Sequence, residues 1–374
     1  MDLSYSEEQN LLRDSVAKYI ENNYDISERN KLTASDEGFS RENWKQFAEL
    51  GWLAMPFAEE DGGIGGTPVD TMIMMEEFGK GLVVEPFLAT VVMAGTAISE
   101  FGSTAQREEL LAGIIDGSLL ATFAYAEEQA HHDLSNVTTS AVKDGDFYTL
   151  NGTKSVVLNA QTADKILVVA RTSGDQVSDH GLTVFIVDKG ADGLKLDSYP
   201  TLDGLRASEV TLKDVKVQGD CVIGKVDEGM AVVSKVANRA ILALAAEAVG
   251  AMEMLYKDTI AYTKQRQQFD HPLSDFQVLK HRMTEMFMEH ALATSLTMKA
   301  TMLETQGSAD TQRTIHALKY LIGKSTRFVG QNAVQLHGGM GMTEELRVAH
   351  YFKRLTVIDS QFGNTDHHLT RFVA

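Results

Sequence analysis

The sequence predicts an α+β chain, mostly helical, in which a helical segment, a β domain and a second helical segment follow one another. Three observations predict it. Apolar residues recur at helical spacing in LLRDSVAKYI and NWKQFAELGWLAM near the amino end. The period shortens where FYTLNGTKSVVL, KILVVART and LTVFIVDK read as strands. Long helical patterns return after Glu228, starting with MAVVSKVANRAILALAAEAVGAMEMLYKDTIAYTKQ, whose many Ala and Gly residues suit close helix approach in a bundle. The expected domains are residues 1–118, 119–228 and 229–374.

Within the first segment, EEDGGIGGTPVD is a Gly-rich turn between helices. In the second, Asn151-Gly152 between two strand-like runs predicts a type I′ hairpin. In the third, FGNTDHH at 362–368 reads as a loop, with Gly363-Asn364 as its turn and an acid and two histidines behind it. Adjacent histidines in a loop lack the spacing of a chelating pair, so no metal is expected there.

Composition narrows the function. The 374 residues, 44% of them hydrophobic, are enough for one large core or two to three smaller ones. With 52 acidic against 34 basic residues the formal charge is −18, which repels a phosphate backbone and argues against nucleic acid as a partner. MDLSYSEEQN has neither a basic nor an apolar leader region, and no uninterrupted apolar run of about 18 residues occurs, so a cytoplasmic protein away from the membrane is expected. The single cysteine, Cys221, excludes an internal disulfide and reads as a small apolar residue.

Several motifs, in order and across nearly the whole chain, carry a resemblance: EEDGGIGG and MEEFGKGLVVEP, then YTLNGTKSVVLNAQTADKILVVART, then YTKQRQQFDHPLSDFQ and QLHGGMGMTEE. Together they resemble the acyl-CoA dehydrogenase family. The resemblance implies an amino-terminal helical domain, a central β domain and a carboxyl-terminal four-helix bundle, with FAD and an acyl-CoA thioester between them. It also implies α,β-desaturation, in which a carboxylate takes the Cα proton, and an electron-transferring flavoprotein as electron acceptor.

Against that pattern the sequence departs at the base. The family's usual Glu falls on Phe362, and its alternative position, counted back from Arg266, falls on Ala240, after Asn238 and Arg239. Neither side chain accepts a proton. Asp359, Asp366, His367 and His368 lie nearby as substitutes, although polar residues of a solvated loop are the simpler reading. Glu247 is a further carboxylate on the same long helical run.

The implied cofactor site divides in two. Where the family threads Thr-Glu-Pro-Gly-Ala-Gly-Ser-Asp past the flavin, this chain reads FAYAEEQAHHD, with Phe123, Tyr125 and Ala126 at the ring and Glu128, Gln129, His131 and His132 replacing the turn. The family's Trp-x-Thr reads Val156-Val157-Leu158. By contrast Arg266, Gln268, Phe269 and Gln277, with Gln335, His337, Gly338 and Gly339, match residues that reach a neighbouring subunit's FAD. A guanidinium fork suits pyrophosphate. The glycines have an ordinary alternative, a turn between helices.

The wording FAYAE, KSVVLN, VLKHRMTEM and HYFKRLTVID resembles the small subunit of pimeloyl-CoA dehydrogenase-type heteromeric enzymes. That implies a paralogous partner chain and a dicarboxylyl, branched or bulky acyl-CoA. Two readings stand at this point: a subunit that takes part in desaturation, alone with an unusual base or beside a catalytic paralogue, and a non-catalytic subunit that completes the partner's FAD site. A flavin oxidase or monooxygenase on the same fold ranks below both.

Overall fold

A computed structural model describes residues 5–374. Its helices are α1 (Glu7–Asn23), α2 (Ile26–Ala34), α3 (Arg41–Glu49), α4 (Pro68–Gly81), α5 (Gly95–Phe101), α6 (Thr104–Gln106), α7 (Ala112–Ile115), α8 (Gly229–Gln265), α9 (Gln277–Thr305), α10 (Thr311–His337), α11 (Arg347–Ser360) and α12 (Thr365–Val373). Strands β1 (Ala121–Ala124), β2 (Ser140–Asp144), β3 (Phe147–Leu158), β4 (Lys165–Arg171), β5 (Leu182–Asp188), β6 (Leu194–Pro200), β7 (Arg206–Gln218) and β8 (Val222–Ile223) make one sheet, and β9 (Gln267–Gln268) pairs with β10 (His271–Pro272). Helix, sheet, helix is thus the order along the chain. Contacts gather these elements into two units, one of the chain up to Lys31 with Thr67–Val83 and Ile241–Ala374, the other of Leu32–Gly66 with Val84–Ala240.

In the first unit the helix starts are written locally. Ser6 and Gln9 form a capping box on α1, and Thr67 and Asp70 form one on α4, with Pro68 at its first turn. α4 and α8 cross where both are glycine: a Cβ on Gly79 would meet the Glu247 carbonyl oxygen at 2.0 Å, and one on Gly250 the Glu76 carbonyl at 1.9 Å. Beside that crossing Arg354 of α11 donates to both oxygens of Glu247, at 2.5 and 2.7 Å, with both residues buried. α8 is long and apolar enough to cross a membrane by composition alone, and 67% of its most apolar window is buried inside the fold.

In the second unit the sheet runs β6-β7-β3-β2-β4-β5-β8, with β1 parallel to β4. β4 and β5 are buried along almost their whole length, the signature of strands covered on both faces. Tyr148, Leu150, Val168, Phe185 and Val210 belong to the sheet's core. The hairpin expected at Asn151-Gly152 is not there. β3 continues through these residues with a register shift against β7 between Leu150 and Gly152, and the turn lies earlier, between Asp144 and Phe147. Two cross-strand demands account for Asn-Gly inside a strand: Asn151 exchanges hydrogen bonds with Asp214, and a Cβ at 152 would lie 2.6 Å from the Thr139 Cα.

Candidate functional site

The turn that carries Phe362 is built with care around a residue that has no acid-base chemistry. Phe362 stands at φ 55°, a left-handed conformation that costs a non-glycine residue energy and persists only where neighbours hold it, and Gly363 follows at φ 104°. Lys319, fully buried on α10, donates from Nζ to the carbonyls of Ile358 (2.9 Å), Asp359 (2.9 Å) and Gly363 (2.8 Å). Burial lowers its ammonium to about 8. The His368 ring closes the other side, with Nε2 2.9 Å from the Phe362 carbonyl.

The candidate substitutes for a base are engaged elsewhere, except Asp366, which faces outward. Asp359 accepts from Arg327 (3.0 Å) and from the Thr365 hydroxyl (2.9 Å). Asp366, His367 and His368 do not form a solvated loop, as the residue pattern suggested; they open α12, whose cap is Asn364 accepting from the His367 amide at 2.9 Å. His368 is only 2% exposed, and burial, the Lys319 ammonium and the neighbouring imidazoles push it down to about 3. Asp366 points outward in the first turn of that helix. Glu247 is committed to Arg354. In the second unit Ala240 is fully buried on α8, and its neighbour Arg239 pairs with Glu100 at 3.4 Å. Among the described residues no group of three or more His, Cys, Asp or Glu could hold a metal ion.

On the first unit, the end of α8 and the β9–β10 hairpin form an exposed polar face. Arg266 is exposed, and its guanidinium has no ion pair or hydrogen bond among the described residues. Gln268 and Gln277 are exposed, and Phe269 at the hairpin tip is 85% exposed with φ 55°. Gln335 is exposed on α10, and next to Gly338 and Gly339 there is open space. His337 differs: it is buried, stacked on Tyr262 at 4.3 Å, with Nδ1 2.8 Å from the Ala333 carbonyl, so its ring serves the helix end.

On the second unit, Phe123 is buried on β1, and Tyr125 and Ala126 continue from it, half-buried. Ala126 is pinned by the Ser155 amide, which donates to its carbonyl at 2.9 Å. Val156 stands at a bulge of β3 with φ 54° and 51% exposure, an outlier for a β-branched residue. Its amide donates to Glu209, which also accepts from the Tyr199 hydroxyl. The Leu158 carbonyl accepts from Thr122 at 2.6 Å. Ala126, Val156 and Leu158 themselves carry no side-chain hydroxyl, and the Tyr199 hydroxyl, which shares Glu209 with the Val156 amide, is already donated.

Two residues the sequence reading passed over fix this segment. Glu127 accepts from Lys154 Nζ (2.6 Å), the Thr138 hydroxyl (2.5 Å), the Thr138 amide (2.8 Å) and the Thr139 amide (3.1 Å). Burial raises its carboxyl, and Lys154 with these donors outweighs burial and brings it to about 2; burial lowers the Lys154 ammonium to about 8. With Gln129 Nε2 (2.6 Å) as a fifth donor on the carboxylate, the ionised pair is the state the geometry supports. A lysine inside the strand-like run NGTKSVVL was the available signal.

Comparison with known proteins adds three domain models that cover nearly the whole chain: acyl-CoA dehydrogenase N-terminal domain over residues 6–118, middle domain over 122–215 and C-terminal domain over 227–373. A short-chain specific acyl-CoA dehydrogenase of Megasphaera elsdenii is 30% identical over 88% of each chain. Among solved structures, the FAD complex of PigA superposes with a TM-score of 0.92 at 26% identity, covering 100% of this chain and 98% of that one. A structure described as a Tcur3481-Tcur3483 steroid ACAD variant gives 0.89 at 27% identity, covering 98% of this chain and 97% of that one.

Proposed function

From the premise that this chain belongs to the acyl-CoA dehydrogenase family, whose members are FAD-dependent and oxidise acyl-CoA thioesters, we propose that it is one of two unlike subunits of such an enzyme. In this reading it anchors the partner's FAD and leaves proton abstraction to the partner. The observation that carries the reading is Phe362: the turn is held by Lys319 and His368, yet the side chain at its tip is a phenyl ring. Ala240 repeats the loss at the second position, and Asp359 and Glu247 are each occupied by an arginine.

The residues fit the cofactor unequally. Arg266, exposed and without a partner among the described residues, with the amides of Gln268, Gln277 and Gln335 and the open backbone at Gly338 and Gly339, is a donor set suited to a pyrophosphate. Ala126, Val156 and Leu158 offer the flavin ring no hydroxyl, and the Val156 amide is already given to Glu209. Bound FAD would supply the hydride acceptor for desaturation. What this chain contributes is a cation and carboxamides for the phosphates, and three positions, Ala126, Val156 and Leu158, whose side chains carry no donor.

A dicarboxylyl, branched or bulky acyl chain is the proposed substrate class, and a cytoplasmic location goes with it. The steroid ACAD structure, whose description joins two names, is one neighbour that agrees with a bulky substrate and a paired assembly. Electron-transferring flavoprotein is the proposed acceptor. Absorbance decides the reading: the chain purified alone should be colourless and the coexpressed pair yellow and bleached by acyl-CoA. A yellow single chain bleached by acyl-CoA would overturn it.

A further inference from the structure

The loop that carries Gly338 and Gly339 runs from the end of α10 to the start of α11, residues 338–346. Its own turn is closed by Thr343, whose amide and hydroxyl both donate to the Met340 carbonyl, at 3.2 and 2.9 Å. Among the described residues, the side-chain bonds that tie this loop to the rest of the first unit converge on Glu344. The Glu344 carbonyl lies 3.1 Å from His350 Nε2 on α11. The Glu344 carboxylate pairs with Lys353 and stands 3.4 Å from the same imidazole nitrogen.

His350 is buried, and its other nitrogen, Nδ1, lies 3.3 Å from Nη1 of Arg29 on α2. Arg29 is buried as well, and its Nε donates at 3.2 Å to the carbonyl of Leu82, the left-handed residue that ends α4. These partners assign the protons. A carbonyl can only accept, so Nε2 carries the hydrogen given to Glu344; a guanidinium can only donate, so Nδ1 keeps its lone pair for Arg29. The ring is therefore neutral and held in one tautomer, part of a continuous run of bonds from the end of α4 through α2 and α11 to the loop. The charges that face it are Arg29 from α2, Lys353 from its own helix and Glu344 from the loop. Burial holds the imidazole below its ordinary 6.5, and Arg29 and Lys353 add to that against the Glu344 carbonyl and carboxylate.

We propose that His350 is a positioning residue for the loop that meets the cofactor's pyrophosphate: its neutral ring fixes Glu344 and, through the Thr343–Met340 turn, Gly338 and Gly339 in the shape that holds FAD. The cofactor part of this rests on the function proposed above. A proton taken up at Nδ1 would point an N–H at the Arg29 guanidinium, setting donor against donor and like charges 3.3 Å apart. The Glu344 carboxylate offsets little of that, because its side chain is 65% exposed and screened by solvent. The ring then leaves Arg29, and the loop loses its tie to the interior of the unit.

Amide hydrogen exchange of residues 338–346 in the full chain, corrected for the intrinsic effect of pH, tests the tie without any flavin. Going from pH 7.5 to pH 5 should raise loop opening by between about threefold and about thirtyfold, the upper limit being linkage to a ring that titrates at about 6.5 once released. His350→Gln keeps a donor for Glu344 and an acceptor for Arg29 but takes up no proton, so its loop at pH 5 should stay as protected as the wild-type loop at pH 7.5. His350→Ala should be open at both. In the coexpressed pair, FAD loss on gel filtration should follow the same order across the three proteins. A wild-type loop indifferent to pH overturns the proposal. So does a His350→Gln loop that opens with acid as wild type does, which would move the proton to His337 at the loop's other end. FAD retention untouched by His350→Ala overturns the role in holding the cofactor. A pair that binds no FAD contradicts the function proposed above instead, and the exchange measurement still decides on His350. Should the glutamine chain not fold, nitrogen NMR of the wild-type histidines supplies the second reading: Nε2 protonated and Nδ1 bare is expected for His350 at pH 7.5, and the opposite tautomer overturns the proposal.

Discussion

The Nδ1 atoms of His316 on α10 and His368 on α12 lie 2.9 Å apart. The bonds on either side assign the protons. Because a carbonyl can only accept, His368 Nε2 carries the hydrogen given to Phe362, which leaves its Nδ1 as an acceptor. His316 must then donate from Nδ1, and its Nε2 is free to accept from Gln312 at 3.2 Å. A proton added to His368 would set two N–H groups against each other. Lys319 and His367 add positive charge beside His368, and Arg371 does so beside His316.

A pH dependence follows, with a definite sign. Both imidazoles are lowered by burial, His368 to about 3, so the unfolded chain binds these protons first. Their stabilising contribution is complete above the unfolded value near 6.5 and is lost as pH falls from there toward 3. Urea unfolding at pH 7.5 and pH 5 should show His368→Gln losing less stability than wild type over that interval. The difference should approach about 1.4 kcal/mol per pH unit below 6.5, reduced by whatever solvent screens the ring. Parallel curves would refute the assignment.

The Arg266 guanidinium is predicted to hold phosphate and to contribute nothing to the fold. Arg266→Ala should weaken FAD retention in the complex by about 1.5–3 kcal/mol, the worth of a charge-assisted hydrogen bond. Far-UV circular dichroism should not change, because the side chain has no partner to lose among the described residues. Equal flavin content in variant and wild type, measured after gel filtration, would remove the assignment.

Neither Asp366 nor His367 is predicted to serve as a base. Asp366→Asn and His367→Ala should each leave turnover of the complex within about twofold, since any general base is worth at least about a hundredfold. A hundredfold loss in either, with flavin retained, would identify a base on α12.

The buried pair in the β domain should break asymmetrically. Glu127→Gln leaves the Lys154 ammonium at 0% exposure without its counter-ion, which costs about 3–5 kcal/mol. Lys154→Met leaves Glu127 with its three donors from Thr138 and Thr139, so it should cost less. The double variant should be more stable than Glu127→Gln alone. Denaturant midpoints of the three variants test the ordering, and equal single losses would contradict it.

How much of this was legible in the residues depends on range. Helical periodicity and β alternation placed the three regions because each is a local signal. Asn151-Gly152 misled because its reasons lie on the two strands that flank β3 and not in the dipeptide: Asp214 on β7 and Thr139 just before β2. FGNTDHH looked like a solvated loop since nothing local shows Lys319, some forty residues earlier, reaching three carbonyls of the turn, or the burial of His368. At the site, the missing acids at 362 and 240 were readable from residue type alone. That Asp359 and Glu247 were spoken for needed the fold.

The last prediction is that this chain does not work as a self-sufficient enzyme. Proton abstraction needs a carboxylate at hydrogen-bond reach, and the two positions for it hold a phenyl ring on a well-held turn and a fully buried methyl group. Glu247 cannot be recruited cheaply: freeing it would strand the buried Arg354, at a cost of about 3–5 kcal/mol. Size-exclusion chromatography with dye-coupled dehydrogenation, run on the chain alone and on the coexpressed pair, should therefore find turnover only in the pair, with the single chain slower by about a hundredfold or more. Phe362→Glu sharpens the experiment. If the turn keeps its shape through Lys319 and His368, an acid there should raise the activity of any flavin-loaded complex measurably above its parent. Full activity from the unmodified chain by itself would mean that a base lies elsewhere in this fold and that the partner is dispensable.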